Sequence, residues 1–427
     1  MMDIIILPEE NTWPELMLRP TVAAESQEQL VQKVFADVKQ YGDNAIKKYT
    51  KEFDKVEVMD LRVPAKDLAD CERKISPELI AAINIAKKNI ETFHASQVEK
   101  VNKIETMAGV SCWRESRAIN KVGLYIPGGS APLFSTILML GIPAQIAGCK
   151  EVVLCTPPNK SGHVDPVILY TAKLIGITSI YAAGGIQAIA GMTFGTETIT
   201  KVDKIFGPGN QFVMAAKTEA MKYVSIDMPA GPSEVLVIAD ATAIPSFVAA
   251  DLLAQAEHGP DSQVILLSTS EKLMKEVMNE INQQIQKLPR KGIIEQALRF
   301  SKCILLQNLQ TCIAYSNAYA PEHLILSVED PLDVIEDIQN AGSVFLGNYS
   351  PESAGDYASG TNHTLPTNGF AKSYSGVSVD SFVKKITFQQ LSESGLNNIG
   401  KAIEVMAVAE NLIAHKEAVS LRLKKVK

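Results

Sequence analysis

Residues 254–261 read Ala-Gln-Ala-Glu-His-Gly-Pro-Asp, and Gln255 and His258 stand three apart. On a helix that spacing puts an amide oxygen and an imidazole nitrogen on one face, where both can converge on a metal. The following Gly259-Pro260 pair predicts the end of the helix, so the site would lie at its C-terminal end. A plain hydrogen-bonding couple has the same sequence. A second candidate is Ala-Pro-Glu-His-Leu, in which Glu322 and His323 stand side by side at the start of an apolar run, Leu324 to Ser327, that reads as a strand. An acid and a base at a strand edge suit proton transfer, because histidine titrates nearest neutral pH. The alternative is a proline-initiated turn with two solvated polar residues. Of the six histidines, His363 also sits in a Gly- and Pro-punctuated stretch, whereas His94 and His163 read as surface residues. His415 stands apart in the C-terminal tail, either as a helix-surface residue or as one that docks on a neighbouring subunit.

These residues need elements to hold them. The first hundred residues are charge-rich and repeat apolar positions at helical spacing over 28–41 and 78–98, as a scaffold or interface layer would. From Gly123 onward the pattern becomes short apolar runs, at 152–154, 179–181, 204–206, 235–238 and 264–267, separated by segments of helix length. Buried parallel strands with crossover helices have this signature, which predicts a doubly wound α/β fold with ligands beyond the carboxyl ends of the strands. Four runs lead into loops suited to close backbone approach: Tyr125 to Gly129, Gly184 to Gln187, Phe206 to Asn210 and Met228 to Ser233. Neither a GxGxxG fingerprint nor a P-loop is present. After Ser373 to Gly376, a hinge, the chain is expected to return to helix, with 397–425 amphipathic.

The 427 residues are enough for two or more domains, and 46% hydrophobic with 21% charged residues is the composition of a globular chain. A net charge of −7 argues against nucleic acid or an anionic membrane as partner and for a small molecule. The acidic N-terminus lacks the basic and apolar regions of a secretory signal, and the apolar stretch 136–149 is broken and too short to span a bilayer, so the cytoplasm is expected. The six cysteines form no CxxC pair and are expected as free thiols. Cys149 and Cys155 read as packing residues, with a nucleophilic thiol in aldehyde oxidation as the alternative.

The blocks Tyr125-Ile126-Pro127-Gly128-Gly129, Phe206-Gly207-Pro208-Gly209-Asn210, Ala230 to Glu234, Gln255 to Asp261, Pro321-Glu322-His323 and Gly360 to Thr367, together with His415, make the chain similar to the histidinol dehydrogenases over most of its length. The resemblance implies an α/β fold of two Rossmann-like doubly wound domains, like that of aldehyde dehydrogenases, with a helical N-terminal segment and a helical C-terminal tail. Its implied division is an extension at 1–20, one discontinuous domain at 21–127 and 233–372, a second at 128–232, and a tail at 373–427 that reaches the partner subunit of a homodimer. It implies one zinc ion per subunit, held by Gln255, His258, Asp356 and His415, and NAD contacts at Tyr125, Gln187 and Asn210. The implied reaction is the four-electron oxidation of histidinol to histidine through the aldehyde. His323 would be the base of both oxidations and Glu322 the activator of water. Ser233, His363 and Glu410 would meet the substrate together with His323 and the four metal ligands. Two rivals remain at this point: a zinc hydrolase that turns over without nicotinamide, and a non-catalytic binding protein, against which the intact Glu322-His323 pair counts.

Overall fold

The computed structural model describes residues 2–20, 25–128, 132–229 and 231–425; Gly129 and Ala230, members of two of the expected loops, lie outside them. Its strands, in chain order, are β1 (Asp3–Ile6), β2 (Ile104–Met107), β3 (Val110–Ala118), β4 (Lys121–Tyr125), β5 (Glu151–Thr156), β6 (Ser179–Ala182), β7 (Lys204–Phe206), β8 (Ser225–Ile226), β9 (Glu234–Ala239), β10 (Gln263–Ser268), β11 (Lys302–Leu305), β12 (His323–Ser327), β13 (Ser343–Leu346) and β14 (Val383–Leu391). All five apolar runs singled out in the sequence are strands.

Two parallel sheets carry the molecule. One has the order β6-β5-β4-β7-β8 and the other β1-β11-β10-β9-β12-β13. In each, the chain winds from a central strand to one side and then to the other, so both are doubly wound and each has a switch point. Helices cover both faces, which is why the central strands are continuous apolar runs. In β9, Val235 and Val237 pack on one side and Leu236 and Ile238 on the other, all fully buried. The apolar stretch near residue 140 is the helix Ser135–Ala147, buried under the five-stranded sheet. Among the described residues no helix is long and apolar enough to cross a membrane.

Sheet membership differs from the expected division in two places. β1, from the expected N-terminal extension, pairs in parallel with β11 and closes the edge of the six-stranded sheet. β4, expected to share a domain with residues 233–372, is the central strand of the five-stranded sheet, paired with β5 and β7. The helix Glu25–Tyr49 packs on that same sheet through Val34, Phe35 and Ile46. Hydrophobic pattern marks a strand but not the sheet it joins.

The tail is also not all helix. β14 pairs antiparallel with β3 along nine residues, Val383 opposite Ala118 through Leu391 opposite Val110, and β2 completes a three-stranded arm. The helices Glu393–Ala409 and Ile413–Lys425 follow, separated where Asn411 takes a left-handed conformation (φ 58°) that no continuous helix tolerates.

Candidate active site

The Glu322-His323 pair stands at the amino end of β12, where His323 lies opposite Val235 of β9 and Ser343 of β13. Beside it the backbone of Gly342 comes so close that a Cβ there would lie 2.5 Å from the Glu322 carbonyl oxygen. Neither side chain is solvated: Glu322 is 7% exposed and His323 4%. Glu322 Oε2 accepts from the backbone N–H of Glu234 (2.8 Å) and from Gln255 Nε2 (3.2 Å). His323 Nδ1 lies 3.2 Å from the Glu234 carbonyl, which assigns it the proton. On the neutral ring Nε2 would then carry the lone pair; it is buried, without a hydrogen-bond partner and 3.6 Å from Asp356 Oδ1. Burial pushes the Glu322 carboxyl up to about 8, against the pull of His323. For His323, burial works against the charged form, but Glu352, Glu322 and Asp356 outweigh it and push the imidazole up to about 10.

Gln255 lies in the last turn of the helix Pro245–Ala256, and His258 lies two residues beyond its end. The helix thus stops before the expected Gly259-Pro260. Beyond it the Glu257 N–H donates to the Leu253 carbonyl (3.1 Å) and the His258 N–H to the Gln255 carbonyl (3.2 Å), so His258 is placed by the helix end and not by a helical face shared with Gln255. The Gln255 amide nitrogen is spent on Glu234 O (3.0 Å) and Glu322, which leaves the amide oxygen buried and unpartnered. Asp356 ends the short helix Glu352–Tyr357, and ligand atoms of His258, Glu352 and Asp356 all lie within 4.8 Å of one another. Glu352, four residues before Asp356 and on the same face, is a member the sequence reading missed; its signal was that i,i+4 acid pair. Burial raises the Glu352 carboxyl well above its ordinary value, and its Oε2 has no partner. Burial opposes ionisation of Asp356 too, but His323, His363 and His258 hold it below the usual carboxylate range. His258 stands at the mouth, its ring still accessible, and surrounding protein holds its pKa down. The donor set of imidazole, carboxylates and a free amide oxygen fits a borderline-to-hard dication such as zinc.

The segments that lead into β9 and β10 face those that leave β4 and β7 across a cavity of 890 Å³ lined by Ser233 and His258 on one side and Pro127 and Asn210 on the other. Ligand-facing carboxyl ends were expected for every strand. In the five-stranded sheet the cavities do lie beyond carboxyl ends, whereas in the six-stranded sheet the Glu322-His323 pair lies on the amino edge, where its crossover helices end. A second cavity of 810 Å³ shares Pro127 and Asn210 and continues along the five-stranded sheet past Tyr125 and Gly185. Tyr125 is buried and its hydroxyl accepts from the Gly185 N–H (3.2 Å), the start of the helix Gly185–Phe194. Gln187 is fully buried, donates to Asp54 at 3.3 Å and leaves its Oε1 unpartnered. Asn210 caps the helix Gln211–Ala220 through its oxygen, accepting from Phe212 and Val213, so only its amide nitrogen remains for a ligand. Gly207 precedes it with φ 131° and presses on the Tyr125 carbonyl, a position closed to any Cβ. The buried Lys217–Asp227 ion pair holds this loop, Lys217 donating to Gly207 O (2.9 Å) and Asp227 accepting from Gly207 N (2.8 Å).

The remaining candidates divide. His363 is close by, but both its nitrogens are engaged, with Asp356 O (2.9 Å) and Thr136 Oγ1 (3.1 Å). His94, expected at the surface, is fully buried between Ile90 O (2.9 Å) and Asn362 (3.3 Å), where it pins the 360–367 segment against the helix Pro77–Ala95. His163 is exposed as expected. Glu410, which ends the helix Glu393–Ala409, and His415, in the helix Ile413–Lys425, are exposed, and among the described residues neither side chain hydrogen-bonds or ion-pairs with a site residue.

Residues 17–423 match a family model described as histidinol dehydrogenase. The chain is 56% identical over 428 residues to histidinol dehydrogenase from Bacteroides thetaiotaomicron, covering 100% of both chains. It is 49% identical over 417 residues to that of Escherichia coli, with 97% of this chain and 95% of the relative covered. The crystal structure of histidinol dehydrogenase from Elizabethkingia anophelis superposes with a TM-score of 0.98 at 60% identity, covering 100% of this chain and 98% of that one.

Proposed function

The chain belongs to the histidinol dehydrogenase family, and on that premise we propose that it oxidises histidinol to histidine in two NAD-linked steps at a zinc site. The observation that carries this reading is the trio of buried, unpartnered atoms Gln255 Oε1, His323 Nε2 and Glu352 Oε2, on residues tied together through Glu322 and Asp356. A site with that many unmet polar groups is built for ligands the chain does not itself supply.

His258, Asp356 and the Gln255 oxygen would hold the metal, with His415 arriving from a partner subunit. When bound, zinc supplies a positive charge that fixes the substrate's nitrogens and opposes the carboxylates that keep His323 cationic. NAD, along the two cavities, supplies the hydride acceptor, one molecule per oxidation. His323 Nε2 takes the hydroxyl proton as the hydride leaves the carbinol carbon, giving the aldehyde. Glu322, whose raised pKa makes it a stronger base than an ordinary carboxylate once ionised, takes a proton from the water that adds to the aldehyde. His323, having returned its first proton to the aldehyde oxygen as the hydrate forms, then takes the hydroxyl proton of the hydrate as the second hydride leaves. The Nδ1–H···O=C bond to Glu234 holds the imidazole oriented through both steps. The six free cysteines suit a reducing cytoplasm.

The test follows NADH absorbance with histidinol as substrate. Two NADH per histidinol and loss of activity with a chelator are expected. One NADH per substrate, or turnover of another substrate without nicotinamide as the hydrolase rival requires, would overturn the reading.

A further inference from the structure

The 810 Å³ cavity lies on the far side of Pro127 and Asn210 from the 890 Å³ cavity lined by Ser233 and His258, so a dinucleotide reacting beside those residues would place its adenosine half there. In doubly wound sheets the adenine ribose is met by an acid near the end of the second strand, whose carboxylate accepts from the ribose hydroxyls. Here the strand in that place, β5, runs into Thr156-Pro157-Pro158-Asn159-Lys160, with no acid. A carboxylate reaches the same cavity from elsewhere: Asp54, at the end of the turn Thr50–Asp54 that follows the helix Glu25–Tyr49.

We propose that Asp54 reads the adenine ribose and makes the chain prefer a dinucleotide with a free 2′-hydroxyl over one carrying a 2′-phosphate. The proposal deepens the NAD reading and rests on it. Three observations support it. First, Asp54 is half-buried and lines the cavity, and Gln187 donates to one of its carboxylate oxygens at 3.3 Å; no other hydrogen bond to the group occurs among the described residues. A carboxylate only accepts, so it matches hydroxyl donors and repels a phosphate. Second, the other charged groups lining the cavity do not offset it. Asp165 is spent capping the Val167 N–H (2.9 Å), and Lys55 donates to the Glu52 carbonyl (2.8 Å). Lys160 is exposed at the rim as a solvated point charge, and Glu52, also exposed, is a further acid. Third, burial pushes Asp54 up to about 6, which still leaves it ionised at neutral pH.

The test measures binding of 5′-AMP and of 2′,5′-ADP, which differ only by the 2′-phosphate, to the full-length protein by titration calorimetry, alongside reduction of NAD and NADP. The wild type should prefer 5′-AMP by roughly ten- to a hundredfold, the effect of one charged hydrogen-bonding group gained against one like-charge contact. Asp54→Asn, which keeps an acceptor for Gln187 and so keeps the local fold, should bring the ratio to within about threefold. Asp54→Glu should restore most of the preference. An unchanged ratio in Asp54→Asn, or no preference in the wild type, would overturn the assignment while leaving the NAD reading in place. A wild type that binds neither nucleotide and reduces neither cofactor would overturn both.

Discussion

His323 has Nδ1 committed to the Glu234 carbonyl and Nε2 free, and Glu322 is tied to the Glu234 N–H; the two side chains therefore offer separable functions. His323→Asn should depress oxidation of both histidinol and the aldehyde by roughly two to four orders of magnitude. Glu322→Gln should slow chiefly aldehyde oxidation, measured by supplying the aldehyde directly. Equal losses in both steps for both variants would contradict this division. Cysteine chemistry has no place in it, because burial pushes the Cys149 thiol up to about 11 and Cys155 further still. Cys149→Ala should keep most activity, and selective loss of aldehyde oxidation with the fold intact would revive a covalent route. At this scale the sequence was most readable where residue types were unusual for their surroundings, as in Glu322-His323. It was least readable for Glu352, whose i,i+4 spacing from Asp356 is common on solvated helix faces and whose burial comes from tertiary packing.

At the scale of elements, one residue of the N-terminal segment holds the site's backbone. Arg19 grips the Glu234 carboxylate through Nε (2.5 Å) and Nη2 (3.1 Å), donates to Tyr319 O (2.9 Å) and lies over the Tyr319 ring at 3.8 Å. The Glu234 backbone in turn serves Glu322, Gln255 and His323. Removing Arg19 leaves a buried carboxylate without its cation, so Arg19→Ala should cost about 3 to 5 kcal/mol in denaturant unfolding. Adding Glu234→Gln should restore part of the loss. No recovery in the double variant would mean that Arg19 acts through packing on Tyr319 alone. A second element-scale test uses Asp251, on the Gln255 helix, which burial pushes up to about 7. Its folded pKa lies above the unfolded value near 4, so ionisation disfavours the fold and the penalty grows as pH rises from about 4 to 7. Asp251→Asn should therefore stabilise the metal-free protein progressively over that window, by at most about 4 kcal/mol and by less to the extent that water screens the partly exposed carboxylate. A difference independent of pH would refute it. The apolar runs were legible as strands because both faces of each sheet are covered. That β4 and β1 belong to particular sheets, and that the Glu322-His323 pair lies on the amino edge of the six-stranded sheet, depends on pairing between distant segments, which no local pattern encodes.

At the scale of the whole molecule, the arm built from β2, β3, β14 and the last two helices carries an exposed apolar face that includes Val405, Met406, Leu412, Ile413 and Leu421. Glu410 and His415 stand on the same helices, exposed and away from the Gln255–His258–Asp356 pocket of their own chain. An apolar face of this kind asks for a partner, and a second copy would bury it while delivering a fourth ligand to the other subunit's pocket. Metal sites lose affinity when a ligand is removed, so His415→Asn should lower zinc retention and activity together. Mixed dimers separate a shared site from a self-contained one. In a hybrid of one chain carrying His415→Asn with one carrying His323→Asn, a shared arrangement gives one pocket both defects and the other none. Two inactive parents should then yield hybrids with about half the native activity per dimer. If each pocket were built from a single chain, both pockets of the hybrid would stay defective, and verified hybrids without restored activity would remove the arm from the active site.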